Sequence, residues 1–180
     1  MNTITYMKGF ITDAASAFGA LSTELSWVRR GTTPRYEYYI NAVNVPYTYG
    51  KGEFARTYEP QAMHTVVKNI QDAIEDLVKT KFEVCFLNRY INQSDHLGWH
   101  ADDSPEMDDD RPIAIVSLGV EREIWFRDNE TRTVTKKLLE NGSLCLMHAG
   151  MQDTHEHRIP KAGRICGERI SLTFRGYKVP

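Results

Sequence analysis

The chain has 180 residues and a formal net charge of −2. That length suffices for one well-cored domain and is short for two, and the near-neutral balance excludes a protein that grips nucleic acid by bulk positive charge alone. The charge is nonetheless uneven. Residues 102–110 are strongly acidic, whereas 158–178 carries Arg158, Lys161, Arg164, Arg169, Arg175 and Lys178 against Glu168 alone, a polarity that suits an anionic ligand at one end of the molecule.

The opening stretch MNTITYMKGFITDAASAFGAL lacks the basic start and sustained apolar run of a signal peptide. No window reaches the roughly 18–20 apolar residues of a membrane span. Cys85, Cys145 and Cys166 are odd in number and widely spaced, and two of them sit inside apolar runs. Free thiols in a reducing compartment are therefore expected, and with them a cytoplasmic location away from any membrane.

In chain order, residues 7–22 read as a short amphipathic helix closed by the polar STELSW. From Trp27 to Tyr58, TPRYEYYINAVNVPYTYG reads as short strands joined by turns. Pro60 opens a second helix, in which Val66, Val67, Ile70, Ile74, Leu77 and Val78 recur at helical spacing and build one apolar stripe. Beyond Lys81 the period changes to two. FEVCFLNRY, PIAIVSLG, EIWFRD, TVTKKLL, SLCLMH, HEHRIP and RISLTFRGY are short, rich in β-branched or aromatic residues, and separated by turn formers. Such a succession, with no long helix between strands, implies an antiparallel sandwich or double-sheet barrel. The expected fold class is α+β in a single domain over 1–180, with residues 1–80 leaning on a jelly roll formed by 81–180.

The last strand has the clearest pattern. In RISLTFR, Ile170, Leu172 and Phe174 fall on one face and Arg169, Ser171, Thr173 and Arg175 on the other. The polar row either lines a barrel, where arginine forks would suit a dianion, or forms the wet side of an outer strand. In LNRY, Asn88 and Tyr90 share a face and offer an amide and a phenol in line. His100 and Asp102 stand two residues apart, so an extended segment presents both on one side. A third corner from His148, His155 or His157 would complete a two-His, one-carboxylate facial site, which leaves adjacent metal positions open as in non-haem Fe(II) oxygenases. His64 and His96 read as ordinary satisfied or exposed histidines.

Taken in order, LNRY, HAD, SLG, MQDTHEHRIPK and RISLTFR resemble the AlkB family of Fe(II)- and 2-oxoglutarate-dependent dioxygenases over about residues 82–178. TPRYEYY, YTYG and the N-terminal helix resemble it more weakly. The resemblance implies a double-stranded β-helix core with N-terminal helices and a nucleotide-recognition lid over 1–80, working as a monomer. It implies Fe(II), 2-oxoglutarate and O2 as cofactors, with His100 and Asp102 as the first two iron ligands. His157, standing before RIP, resembles the third, while His155 falls where relatives commonly carry an aromatic residue. Arg169 and Arg175 resemble the pair that engages 2-oxoglutarate or braces the metal-site carboxylate, with Asn88, Tyr90 and Thr173 as further hydrogen-bonding partners. The implied reaction is direct reversal of alkylation. N-alkylated bases in single- or double-stranded DNA or RNA are demethylated oxidatively, with formaldehyde, succinate and CO2 as products.

A base stacked in a duplex cannot reach a barrel interior, so it must be flipped or taken from a single strand. Trp27, Tyr36, Tyr39, Tyr47 and Tyr49 are then candidate stacking partners, and Arg29, Arg30, Arg35, Lys51 and Arg56 candidate phosphate contacts. WVRRG reads as a hairpin tip touching nucleic acid. Ser104 stands where relatives that repair N1-methyladenine and N3-methylcytosine carry Asp or Glu. A serine hydrogen-bonds but offsets no positive charge, so either Asp103 or Glu106 substitutes or the preferred base differs. Two other readings stay open: a 2-oxoglutarate oxygenase acting on a protein or small molecule, and a non-catalytic damaged-base binding module.

Overall fold

A computed structural model describes residues 3–49 and 52–178; Lys51 lies outside the described residues. The elements in order are β1 (Ile4–Met7), α1 (Ala14–Glu24), β2 (Tyr36–Asn41), β3 (Tyr47–Tyr49), β4 (Arg56–Tyr58), α2 (Thr65–Val78), β5 (Val84–Tyr90), β6 (Leu97–His100), β7 (Ile113–Gly119), β8 (Arg122–Asp128), β9 (Val134–Leu139), β10 (Ser143–Met147), α3 (Met151–Thr154), β11 (His155–Ile159) and β12 (Arg169–Arg175). A six-stranded sheet runs β1-β10-β7-β12-β5-β2, a four-stranded sheet runs β6-β11-β8-β9, and β3 pairs with β4 as a separate hairpin. Every paired neighbour is antiparallel.

Two apolar layers explain the arrangement. Both helices pack on the outer face of the large sheet, where Leu21, Val67, Ile70 and Ile74 meet Leu87, Val116, Ile170, Leu172 and Phe174. A second cluster fills the space between the two sheets, with Tyr90, Ile113 and Ile115 facing Ile124, Phe126 and Ile159. Each fully buried aliphatic side chain contributes about 1.5–3 kcal/mol, so the sheets are held from both sides. The two faces of β12 therefore both lie inside. Ile170, Leu172 and Phe174 meet the helices, and Arg169, Ser171 and Thr173 are buried on the inter-sheet side. The wet-strand alternative for RISLTFR is excluded.

Three expectations need correction. The first helix is shorter than 7–22, because Met7 closes the strand β1 (Ile4–Met7). Ile4 and Tyr6 pack on the inter-sheet cluster while Met7 packs on the helix side, and the helix begins at Ala14, where Asp13 caps it by accepting from the Ser16 amide at 3.2 Å. The second helix begins at Thr65 rather than Pro60, capped by His64, and Leu77 is exposed rather than part of the apolar stripe. Finally, the first 80 residues supply strands to the large sheet as well as helices, because β1 and β2 form its two edges.

Candidate metal centre

The small sheet brings the histidines together. β11 pairs with β6 so that His157 and His100 are direct cross-strand partners, and their ring centroids lie 4.2 Å apart. Both side chains point between the sheets, because alternate residues on β11 and β6, including Arg158 and Trp99, point out and stack on each other at 4.7 Å. Asp102 follows two residues after His100. Its Oδ1 lies 3.5 Å from His100 Nε2 and its Oδ2 3.6 Å from His157 Nε2. The three donor atoms lie within 4.8 Å of one another, a group able to hold a metal ion. His155 and His148 are not part of it. His155 turns toward Asp128 at 3.8 Å, and His148 meets Thr5 Oγ1.

The protonation states suit a cation. His100 Nδ1 donates to the Gly98 carbonyl at 2.9 Å, which holds the ring with Nε2 turned toward Asp102. Burial, with the neighbouring His100, pulls the His157 pKa down to about 3, so its imidazole is neutral at pH 7. Burial alone would push the Asp102 carboxyl upward, but Arg175, His100 and His157 outweigh it and hold the group below its ordinary value. Arg175 bonds Asp102 Oδ1 at 2.8 Å, and Gln152 Oε1 accepts from the Asp102 amide at 2.9 Å. Asp102 Oδ2 is buried with no hydrogen-bond partner among the described residues. An ionised oxygen in that state is costly unless a cation meets it.

Beside the triad is a second unsatisfied set. Arg169 is fully buried, and its Nε donates to Ser117 Oγ at 2.7 Å. Both of its terminal nitrogens and the Tyr90 hydroxyl have no partner among the described residues. Burial drags the Arg169 pKa down to about 10, which still leaves a cation at neutral pH. Asn88, Tyr90, Arg169, Ser171, Thr173 and Arg175 line one cavity with His100, Asp102 and His157. A buried guanidinium fork and a phenol aimed into a space beside a metal triad fit the carboxylate of an elongated dianion. The arginines thus divide their work: Arg175 braces Asp102, and Arg169 faces the cavity.

Toward the β3–β4 hairpin a further pocket is lined by Arg35, Tyr47, Tyr49, Tyr58, Phe86 and Asn88 together with His100, Asp102 and Arg175. Ser104 Oγ bonds Tyr47 Oη at 2.5 Å. The other candidate nucleotide contacts fall elsewhere. Trp27 donates its indole N–H to the Leu21 carbonyl and packs against the helix-side core. Tyr39 is buried under the hairpin, where Asn41 Nδ2 donates to its hydroxyl. Alternation in β2 could not reveal this, because both faces of that strand are covered. Arg29 pairs with Asp95 at 3.1 Å and lies over Tyr36, while Arg30 lies over Tyr58 and donates to the Thr57 carbonyl. Arg56 is on β4 opposite Tyr49. Sequence reasoning gave no role to Tyr58, Ser117 or Gln152, although Ser117 stands in SLG and Gln152 in MQDTHEHRIPK. A separate cleft of about 900 Å³ lies on the outside between Trp125, Arg158 and the 160–164 loop and touches none of the triad.

The sequence profile of the 2OG-Fe(II) oxygenase superfamily matches residues 6–175. The chain belongs to that superfamily. Its relatives place it in the AlkB family. It is 28% identical over 165 residues to the DNA oxidative demethylase ALKBH2 of Mus musculus, covering 87% of this chain and 67% of that protein. It is 29% identical over 181 residues to the alpha-ketoglutarate-dependent dioxygenase alkB homolog 3 of Bos taurus, covering 91% and 61%. The chain spans between 58% and 67% of the length of the ALKBH2 proteins of mouse, human and cattle that it matches. The solved structure of OsALKBH1 superposes with a TM-score of 0.64 at 17% identity, over 96% of this chain and 97% of that one, and shares its fold. The cofactors of this superfamily are Fe(II), 2-oxoglutarate and O2, and the donor set described above fits them. No helix among the described residues is long and apolar enough to cross a membrane.

Proposed function

We propose that the chain is an oxidative demethylase of N-alkylated bases in DNA or RNA, acting as a cytoplasmic, single-domain monomer. The observation that carries the reading is the pairing of two unsatisfied buried sets, Asp102 Oδ2 between two histidines and the Arg169 fork beside Tyr90. In this reading His100, Asp102 and His157 hold the iron. Arg169 and the Tyr90 hydroxyl receive the distal carboxylate of 2-oxoglutarate, Ser117 fixes the Arg169 fork, and Asn88 and Thr173 line the same cavity. Iron and 2-oxoglutarate, when bound, supply the O2-dependent oxidation of a substrate N-methyl carbon, whose hydroxymethyl product loses formaldehyde. The chain's own share is positional. Arg175 keeps Asp102 ionised, Gly98 orients His100, and the inter-sheet cluster excludes water. The pocket under Tyr47 and Tyr49 receives the flipped base.

The test is to load the protein with Fe(II) and supply 2-oxoglutarate and N-methylated oligonucleotides. Formaldehyde and succinate should appear together. Absence of 2-oxoglutarate turnover with every such oligonucleotide contradicts the reading.

A further inference from the structure

We propose that the base pocket selects neutral N-methyl bases flanked by carbonyl groups, such as N3-methylthymine and N1-methylguanine, over cationic ones such as N1-methyladenine and N3-methylcytosine. The proposal rests on the demethylase reading and names its substrate class.

The charges at this pocket are matched internally. Asp102 is paired with Arg175 at 2.8 Å, and Arg35 with Glu37 at 3.0 Å. Glu37 opens into a different cavity, on the Val28 and Gln61 side of Tyr58, where its Oε1 accepts from Arg35 and Tyr58 and its Oε2 is buried without a partner among the described residues. Asp103 and Glu106 are exposed, where water and salt screen them. Asp102 is the one carboxylate among the described lining residues, and the oxygen that Arg175 leaves free, Oδ2, is the one offered to the metal. A cationic ring brought there loses hydration and gains no counter-charge.

Donors, by contrast, are plentiful. The Tyr47 phenol lines the pocket and bonds Ser104 Oγ; with Ser104 as the donor, the Tyr47 hydrogen is left for a ligand. Tyr49 stands at the mouth with a second phenol. Burial raises the Tyr47 and Tyr49 pKa values, so both remain protonated donors at neutral pH. Arg35 Nη1 reaches the His96 carbonyl only at 3.4 Å and has donating capacity to spare. N3-methylthymine carries a carbonyl on each side of its N-methyl group, and N1-methylguanine carries one. These oxygens accept from such donors, and neither base brings a charge.

The experiment compares four single-stranded oligonucleotides of one sequence, each holding one of these bases. It measures kcat/KM by formaldehyde release and affinity by fluorescence anisotropy of the metal-loaded protein without O2. The neutral lesions are expected to lead by at least about tenfold in both, the ratio that a little over 1 kcal/mol produces. Ser104→Glu should move both ratios toward the cationic lesions by a similar factor. Turnover with the cationic bases equal or ahead overturns this proposal and leaves the demethylase reading standing. No turnover of any of the four overturns that reading, and this proposal with it. A Ser104→Glu protein with unshifted ratios also overturns it, because the added carboxylate then has no electrostatic consequence.

Discussion

Asp102 concentrates the site's electrostatics in one side chain. It is 3% exposed, touches one arginine, and lies within 3.6 Å of two histidines. Arg175→Ala removes the brace and leaves the carboxylate to rise toward its neutral form. Metal affinity, measured by competition with a chromogenic chelator, should fall by roughly 10- to 100-fold, the usual cost of losing an outer partner of a metal ligand. Arg169→Met should instead raise the 2-oxoglutarate concentration for half-saturation by at least about tenfold, while equilibrium metal affinity stays near that of the wild type. Binding titrations of the two variants separate the roles. Much of this was legible beforehand, because LNRY, HAD, HRIP and RISLTFR keep their residues in fixed motif order. What motifs could not separate was which arginine does which task. That follows from the strand register, which puts Arg175 next to Asp102 and Arg169 opposite Tyr90. Gln152 and Ser117 stand in the quoted motifs MQDTHEHRIPK and SLG, but motif order does not show their partners, each at least 50 residues away.

At the level of elements, the period-two runs located all seven expected strands beyond Lys81, because short alternating segments bounded by Gly, Asn and Asp leave few alternatives. The helix expected over 7–22 takes in Met7, the last residue of β1, because its apolar side chain packs on the same core as the helix. Helix α2 is tied to β5 by one carboxylate. Glu75 accepts from Gln71 Nε2 and the Phe82 amide, each at 2.9 Å, and from Lys81 Nζ at 2.6 Å. Burial pushes its pKa up, but these donors outweigh burial and hold it below its ordinary 4.5. A carboxylate with a depressed folded pKa stabilises the fold fully above its unfolded value. That contribution is lost as pH falls through the folded one. Glu75→Gln should therefore cost about 1–3 kcal/mol near neutral pH, since it leaves buried donors short of an acceptor. The gap from the wild type should narrow below pH 4.5. Urea melts at pH 7 and pH 3.5 check both statements.

The whole molecule is a pair of sheets that bury polar groups with no partners among the described residues. Asp102 Oδ2, the Tyr90 hydroxyl and the Arg169 fork are all left over between the layers. Ligands that satisfy them should stabilise the fold by mass action. At a hundredfold excess over Kd each contributes about 2.7 kcal/mol, and for a chain of this size each kcal/mol raises Tm by about 2–4 °C. Divalent metal with 2-oxoglutarate should thus raise Tm well beyond metal alone, and Arg169→Met should abolish the increment from 2-oxoglutarate only. Scanning calorimetry under argon reads this directly. The measurement that bears most directly on the centre itself is equilibrium Fe(II) binding by wild type, His157→Ala and His155→Ala in parallel. One iron bound by wild type and by His155→Ala, with none retained by His157→Ala, is the predicted result. Iron lost by His155→Ala and kept by His157→Ala would contradict the assignment on which the whole account stands.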